Sequence, residues 1–327
     1  MAELQFREAI REAIDEEMAR EEKVFIMGEE VAEYNGAYKA TEGLLDKYGY
    51  KRVIDTPISE LGFSGIGVGA AMNGLRPIVE FMTFNFAVLA LDQIINHASK
   101  AGYMTGGQIS MPIVFRGPNA SAGQLGATHS VAYDSMYAQF PGLKVIYTSE
   151  PDDAKGLLKS AIRDDNPVIF MESEQMYGMK GEVSEEEDYI IPIGKGKVKR
   201  EGSDVTIVAH GKMYHVAKKA AAQLEKDGVD AEIIDPRTVK PLDLPLIVES
   251  IKKTNRCVVV DEAHPFAGFA AEIGFLIQRE AFDYLDAPVQ RVTLPDVNAP
   301  FAKNLFDAWL PDAKQVIDAV NQVTYRN

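Results

Sequence analysis

The feature that most constrains this chain is a series of short, wholly apolar runs rich in β-branched residues, separated by stretches of helical periodicity. "KVFIMG", "RPIVEF", "MPIVFR", "LKVIYTS" and "NPVIFME" read as strands, and 86–100 and 152–164 as the clearest helices between them. Strands without polar alternation are buried on both faces, which requires helices on both sides of a mostly parallel sheet. An amphipathic helix opens the chain, with Phe6, Ile10, Ala13, Ile14 and Met18 at helical spacing. In "SEPDDAKGLLKSAI" either Ser149 or Asp152 can cap a helix, and Pro151 suits its first turn.

The alternation breaks over 178–204, where glycines, an acidic run at 185–188 and a basic segment follow one another. This reads as an interdomain connection carrying an edge hairpin, with the acidic run as a solvated face. Alternation then resumes with strands at "DVTIVA", "AEIIDP", "CVVVDE" and "PVQRVT", helices at 213–227, 244–253 and 268–284, and a last helix at 312–323. The expected organisation is an α/β domain over 1–190 and a smaller α/β domain over 191–327. A length of 327 residues suits two such cores.

A net charge of −15 argues against nucleic-acid and anionic-membrane partners, both of which require a basic surface. The longest apolar stretch is broken by Thr83, Asn85 and Asp92, too soon to span a bilayer. The acidic, helical N-terminus resembles neither a signal nor a transit peptide. That implies a bacterial cytoplasm, or a mitochondrial matrix if a presequence has been removed. Cys257, the single cysteine, lies in "CVVVD" and reads as a buried structural thiol.

"GIGVGA" fits the loosest dinucleotide fingerprint, but no strand immediately precedes it and the next acid, Glu80, comes too early for a ribose. A helix that starts at Glu60 and carries the glycines inside it accounts better for the stretch. Gly62, Gly65 and Gly69 then share a face open to close packing. Glu60 itself admits two readings. It can complement the helix dipole, or, among apolar neighbours, hold a proton near neutral pH. "EFMTFNF" is either core packing or an aromatic wall for a planar ring. The long small-residue segment 116–130 ends at His129, a residue suited to acid–base work. The five histidines show no compact metal-ligand spacing; His210 and His215 straddle a strand end and a loop.

Taken together, "DTPISELGFSGIGVGAAMNGLRPIVEFMTFNF", "PIVFRGPN", His129–Ser130, "AKGLLKSAIRDDNPVIFME" and "VDEAHPFAGFAAEI" resemble one family. It is the beta subunit of the thiamine-diphosphate-dependent, decarboxylating component of 2-oxo acid dehydrogenase complexes, with closest similarity to the pyruvate branch. The resemblance implies a transketolase-type pyrimidine-binding domain followed by a transketolase C-terminal-like domain. It implies an α₂β₂ enzyme that decarboxylates pyruvate and acetylates the lipoyl domain of a dihydrolipoamide acetyltransferase core. Acetoin- or branched-chain-type subunits and a non-catalytic assembly module are the alternatives. The beta subunit would hold the aminopyrimidine ring; the alpha subunit would hold the diphosphate through Mg²⁺. Consistent with that split, this sequence lacks a Gly-Asp-Gly motif followed some 30 residues later by Asn.

By the same resemblance, Glu60 exchanges a proton with a pyrimidine ring nitrogen. Phe86 stacks on the ring, Met82 lines it, and His129 faces the reacting carbon and the incoming lipoyl group. Ile113, Ala161, Ile162, Asp164 and Asn166 match positions that hold a structural potassium ion, mostly through backbone carbonyls. The segment before His129 loses a residue after Asn119 and regains one before the histidine, which keeps its place. The resemblance thus implies that Glu60 sits where a proton is needed and a phosphate is not.

Overall fold

The computed structural model describes residues 1–186 and 188–326. They form two compact units, one from Met1–Asn119 with Met136–Ile193, the other from Ala120–Ser135 with Gly194–Asn327. Up to residue 193 the elements are β1 (Ala2–Gln5), α1 (Phe6–Arg20), β2 (Val24–Gly28), α2 (Leu44–Tyr48), β3 (Val53–Asp55), α3 (Glu60–Met72), β4 (Arg76–Glu80), α4 (Phe84–Ala87), α5 (Ala101–Met104), β5 (Val114–Pro118), α6 (Asp134–Ala138), β6 (Lys144–Tyr147), α7 (Pro151–Arg163), β7 (Val168–Glu172) and β8 (Lys180–Val183).

In the first unit, strands lie in the order β6-β7-β5-β4-β2-β3, every pair parallel. All five residues of β2, β5 and β7 are buried, as apolar runs covered on both faces require. The aliphatic side of α1 packs into the core, while Glu16 and Glu17 ion-pair with α7 through Lys155 (2.8 Å) and Arg163 (2.7 Å). Pro151 takes the first turn of α7 as expected, but Glu150 is the N-cap and neither Ser149 nor Asp152 caps.

Three local expectations are corrected. The helix expected at 86–100 is broken into α4, a 3-10 turn (Val88–Ala90) and a π-helical turn (Asp92–Ala98). The wider turn is closed by the Ser99 amide on the Ile94 carbonyl and places Gln93 about where a side chain on Gly65 would be. Of the glycine face expected on α3, Gly65 meets Gln93 at 3.4 Å, but Gly62 meets only Ser59 at the helix start and Gly69 has nothing near it; the closest approach of another element is at Gly67, where a Cβ would lie 2.7 Å from Val79 of β4. Among the described residues of 178–204 there is no edge hairpin. β8 pairs antiparallel with β1, and the next strand joins the other sheet as its antiparallel edge. The described members of the acidic run, Glu185, Glu186 and Asp188, are exposed; Glu187 lies outside the described residues.

The second unit contains β9 (Lys197–Arg200), β10 (Val205–Ala209), α8 (Lys212–Lys226), β11 (Ala231–Asp235), β12 (Thr238–Lys240), α9 (Leu244–Thr254), β13 (Cys257–Val260), α10 (Phe269–Ala281), β14 (Gln290–Val292), α11 (Lys303–Trp309) and α12 (Ala313–Val323). Its sheet has the order β14-β13-β10-β11-β9, parallel except at β9. Cys257 is buried in β13, and burial pushes its thiol up to about 12. α12 starts from a capping box in which Asp312 and Gln315 bond each other's backbone amides. His215 lies inside α8, not in a loop.

Candidate active site

Glu60 is the first residue of α3 and is only 5% exposed. Its neighbour is a second carboxylate that the sequence does not flag: Glu29, the residue directly after β2, 6% exposed. Burial pushes Glu29 up to about 7, and the charge of Glu60 and a hydrogen bond to it push in the same direction. Glu29 therefore retains a proton close to neutral pH. Three buried polar atoms on the segments that carry the pair have no partner: Glu29 Oε1, Thr56 Oγ1 and Ser64 Oγ, the last one turn along α3 from Glu60. Buried polar atoms are nearly always bonded, so this set suits a polar ligand that completes it. A pyrimidine ring with nitrogens and an amino group offers such partners, and the residues fit it.

The aromatic segment after β4 divides cleanly. Phe81 and Phe84 are buried among Phe63, Phe115 and Tyr137, with ring centroids 5.6–6.1 Å apart. Both are core. Met82 and Phe86 are half-exposed. Thr83 caps α4 by accepting from the Asn85 amide (3.2 Å), which fixes the turn that presents Phe86. Glu80 cannot serve a nucleotide: its carboxylate is bound by Arg116, which is held from the other side by Glu172 (Nε to Oε1, 2.6 Å). "GIGVGA" runs through the middle of α3, so it forms no phosphate loop.

His129 belongs to the second unit, in a 3-10 turn (Ala127–His129) of the excursion 120–135. Its ring is half-exposed, and Nδ1 lies 2.9 Å from Thr128 Oγ1. Ser130 is buried and donates to the Gly126 carbonyl (2.9 Å), closing the turn beneath the histidine. Nearby in the same unit is a cluster that sequence spacing hid. His210 Nε2 lies 3.1 Å from Asp134 Oδ2, and Asp261 completes the group. Burial opposes charge on His210, but the hydrogen bond and charge of Asp134 outweigh it, so its pKa is raised. Burial, then the charge of Asp134, pushes Asp261 up to about 7.

Four of the five residues matched to a cation site lie at the C-terminal end of α7 and in the turn to β7; Ile113 precedes β5. Four of the five carbonyls already accept bonds, that of Ala161 from the Asp164 amide (3.3 Å). Arg76 donates to Ile162 O (3.0 Å) and Asp164 O (3.2 Å), and Val168 N donates to Ile113 O (2.9 Å). The Asp164 carboxylate takes Lys144 and Asn166, which together hold it below the usual range against the effect of burial. Each carbonyl oxygen still has a second lone pair, so a monovalent cation is compatible with the arrangement.

Residues 2–180 match the family model described as "Transketolase, pyrimidine binding domain", and residues 194–316 match "Transketolase, C-terminal domain". The chain is 54% identical over its full length, and over 71% of the relative, to a Rhizobium meliloti (strain 1021) protein named pyruvate dehydrogenase E1 component subunit beta. It is 56% identical to the Rickettsia felis protein of that name, covering 98% of each chain. A mitochondrial counterpart from Dictyostelium discoideum is 53% identical over 99% of this chain and 92% of the relative. Among solved structures, one titled "Split gene transketolase, inactive beta4 tetramer" superposes with a TM-score of 0.81 at 24% identity, covering 98% of each chain.

Proposed function

The chain belongs to the pyruvate dehydrogenase E1 component beta-subunit family, and from that premise we propose that it forms the pyrimidine half of a thiamine diphosphate site shared with an alpha subunit. It is part of an oxidoreductase complex, and its relatives favour the pyruvate reading over the acetoin or branched-chain one. The proposed enzyme is an α₂β₂ assembly serving the lipoyl domain of a dihydrolipoamide acetyltransferase core, with Mg²⁺ on the alpha side. Its working division is 1–190 and 191–327. Relatives occur in bacteria and in mitochondria. We place this chain in a bacterial cytoplasm, with the mitochondrial matrix as the alternative. No helix among the described residues is long and apolar enough to cross a membrane.

The observation that carries the reading is the buried Glu60–Glu29 pair with unsatisfied polar atoms around it. When bound, the cofactor supplies the electron sink for loss of carbon dioxide from a 2-oxo acid. Glu60 holds and exchanges a proton at the pyrimidine ring nitrogen. Glu29, beside it, keeps a proton in reserve near pH 7. Phe86 presents its face to the ring and Met82 closes one side, excluding water. His129 delivers a proton to the dithiolane sulfur as the lipoyl ring opens, a general-acid task that an imidazole can perform. The carbonyls of Ile113, Ala161, Ile162, Asp164 and Asn166 offer a potassium site that stiffens the end of α7.

Replacing Glu60 by Gln in the assembled enzyme tests the reading. The amide keeps the shape and cannot exchange the proton, so exchange of the thiazolium C–H should slow by roughly 10²–10⁴-fold while assembly is retained. Wild-type exchange in Glu60→Gln would refute the assignment.

A further inference from the structure

The excursion 120–135, which carries His129, is fastened at both ends by side chains from two neighbouring strand ends of the second unit. At its start, Ser121 is buried. Its amide donates to Glu262 Oε1 (3.1 Å), its hydroxyl donates to the same oxygen, and Lys212 Nζ reaches both Ser121 Oγ (2.6 Å) and Glu262 Oε1 (2.7 Å). At its end, buried Asp134 meets His210 (3.1 Å) and Asp261. Asp261 is fixed in turn by the Ala270 amide of α10 (3.0 Å), and the His210 ring stands edge-on to Phe269 with centroids 4.4 Å apart.

The two fastenings have a common origin. β10 and β13 are parallel neighbours with Ala209 opposite Val260. His210 therefore follows one strand exactly where Asp261 follows the other. Lys212 and Glu262 are the next outward-reaching groups, at the first residue of α8 and just after Asp261. Between the fastenings, Gln124 donates to the Phe301 carbonyl at 3.3 Å, and Ser130 closes the turn under His129.

We propose that Lys212 and His210 are positioning residues for His129: with Glu262 and Asp261 they clamp Ser121 and Asp134, and so set where the imidazole stands during acyl transfer to the lipoyl group. Neither residue touches the reacting atoms. Their effect is exerted through the span between the clamps, and it rests on the role proposed above for His129. A displacement of about 1 Å at a reacting group can cost on the order of 10²-fold. Releasing one end of the segment should therefore slow the step that uses His129 and spare the step that depends on Glu60.

The test uses the complete α₂β₂ enzyme with Lys212→Met, His210→Ala and their conservative counterparts Lys212→Arg and His210→Gln, each also combined with His129→Ala. Pyruvate decarboxylation is followed with an artificial electron acceptor, and acetylation of a lipoyl domain is followed separately. Lipoyl acetylation should fall roughly 10- to 100-fold in Lys212→Met and His210→Ala, with decarboxylation changed less than about 3-fold. The conservative variants should recover most of the loss. On the His129→Ala background the same substitutions should cost nothing further, because the group they position is gone. Additive losses on that background, or equal losses in both half-reactions, would overturn the proposal. If His129→Ala alone acetylates at the wild-type rate, the role of His129 falls and the clamp with it. If His129→Ala is slow while both clamp variants are normal, the clamp alone falls. Should His210→Ala fail to assemble, His210→Gln and Lys212→Met carry the comparison.

Discussion

Glu29→Gln isolates the shared proton of the carboxylate pair. In the folded chain Glu29 keeps its proton to about pH 7, against a usual value of 4.5. The unfolded chain loses that proton near 4.5, so between the two values the folded state binds more protons. By linkage, stability then falls as pH rises through this window, and the loss is complete above about pH 7. The full shift corresponds to roughly 3 kcal/mol; allowing for solvent close to the carboxyl group, a loss on the order of 1–3 kcal/mol is expected. Gln has the size of the protonated acid and can donate to Glu60 as that acid does, but it does not titrate. Urea unfolding of wild-type chain and Glu29→Gln at pH 5, 6, 7 and 8 measures the difference, in which titrating groups remote from the Glu29–Glu60 pair cancel. The variant should match wild type near pH 5 and gain on it by 1–3 kcal/mol by pH 8. Parallel stability curves would show that Glu29 titrates normally and would remove the proton reserve from the site.

Gly67→Ala should destabilise the chain by about 1–3 kcal/mol in thermal unfolding, since the added carbon meets Val79 at 2.7 Å, whereas Gly69→Ala should be neutral or stabilising by up to about 1 kcal/mol because nothing lies near it. Equal effects at the two positions would contradict the packing of α3 on β4. The chain alone should bind thiamine diphosphate weakly in calorimetry, because the proposed site leaves the charged end of the cofactor to another subunit; micromolar binding without that subunit would refute the divided site. Replacing potassium by lithium should lower the melting temperature of the assembled enzyme if the carbonyls around Ile162 and Asp164 hold a cation. Identical melting in both salts would remove that site.

Much of the architecture was legible because period and burial leave a strong trace. Strands buried on both faces have no polar alternation, and the runs at 24–28, 114–118, 168–172 and 205–209 appear where the pattern puts them. The break at 88–98 was not legible. An apolar stripe has nearly the same sequence pattern whether its turns close on the fourth or the fifth residue, so the wider turn at Asp92–Ala98 leaves no local trace. The phase of the glycine face was misjudged for a related reason. Four glycines within one helix leave several faces open to close packing, and only the approach of Val79 selects Gly67. The two strands at 180–183 and 197–200 looked like a hairpin because they are close in sequence, yet each is claimed by a different sheet.

The site follows the same division between local and distant information. Glu60, Met82, Phe86 and His129 enter the proposed site through the family resemblance; read from residue types alone, Glu60 and the aromatic run also admit a capping or a packing role. Glu29, His210, Lys212, Asp261 and Glu262 were passed over because their partners are distant in sequence. They nevertheless share a position: each follows directly, or within three residues, the end of an apolar strand. Glu29 comes after β2, His210 and Lys212 after β10, and Asp261 and Glu262 after β13, just as Met82 comes after β4 and Ser121 after β5. In open parallel sheets the strands all deliver their carboxyl ends to one edge, where helix N-termini begin and ligands are met. A charged residue immediately after a fully buried run is poorly placed for the core and well placed for that edge. Had the residue after each apolar run been weighed together with its strand, the sequence would have offered the proton-sharing partner of Glu60 and both clamps of the His129 segment. What it could not offer is which strand ends are neighbours, because that is decided by the order β14-β13-β10-β11-β9, a property of the packed sheet and not of any one segment.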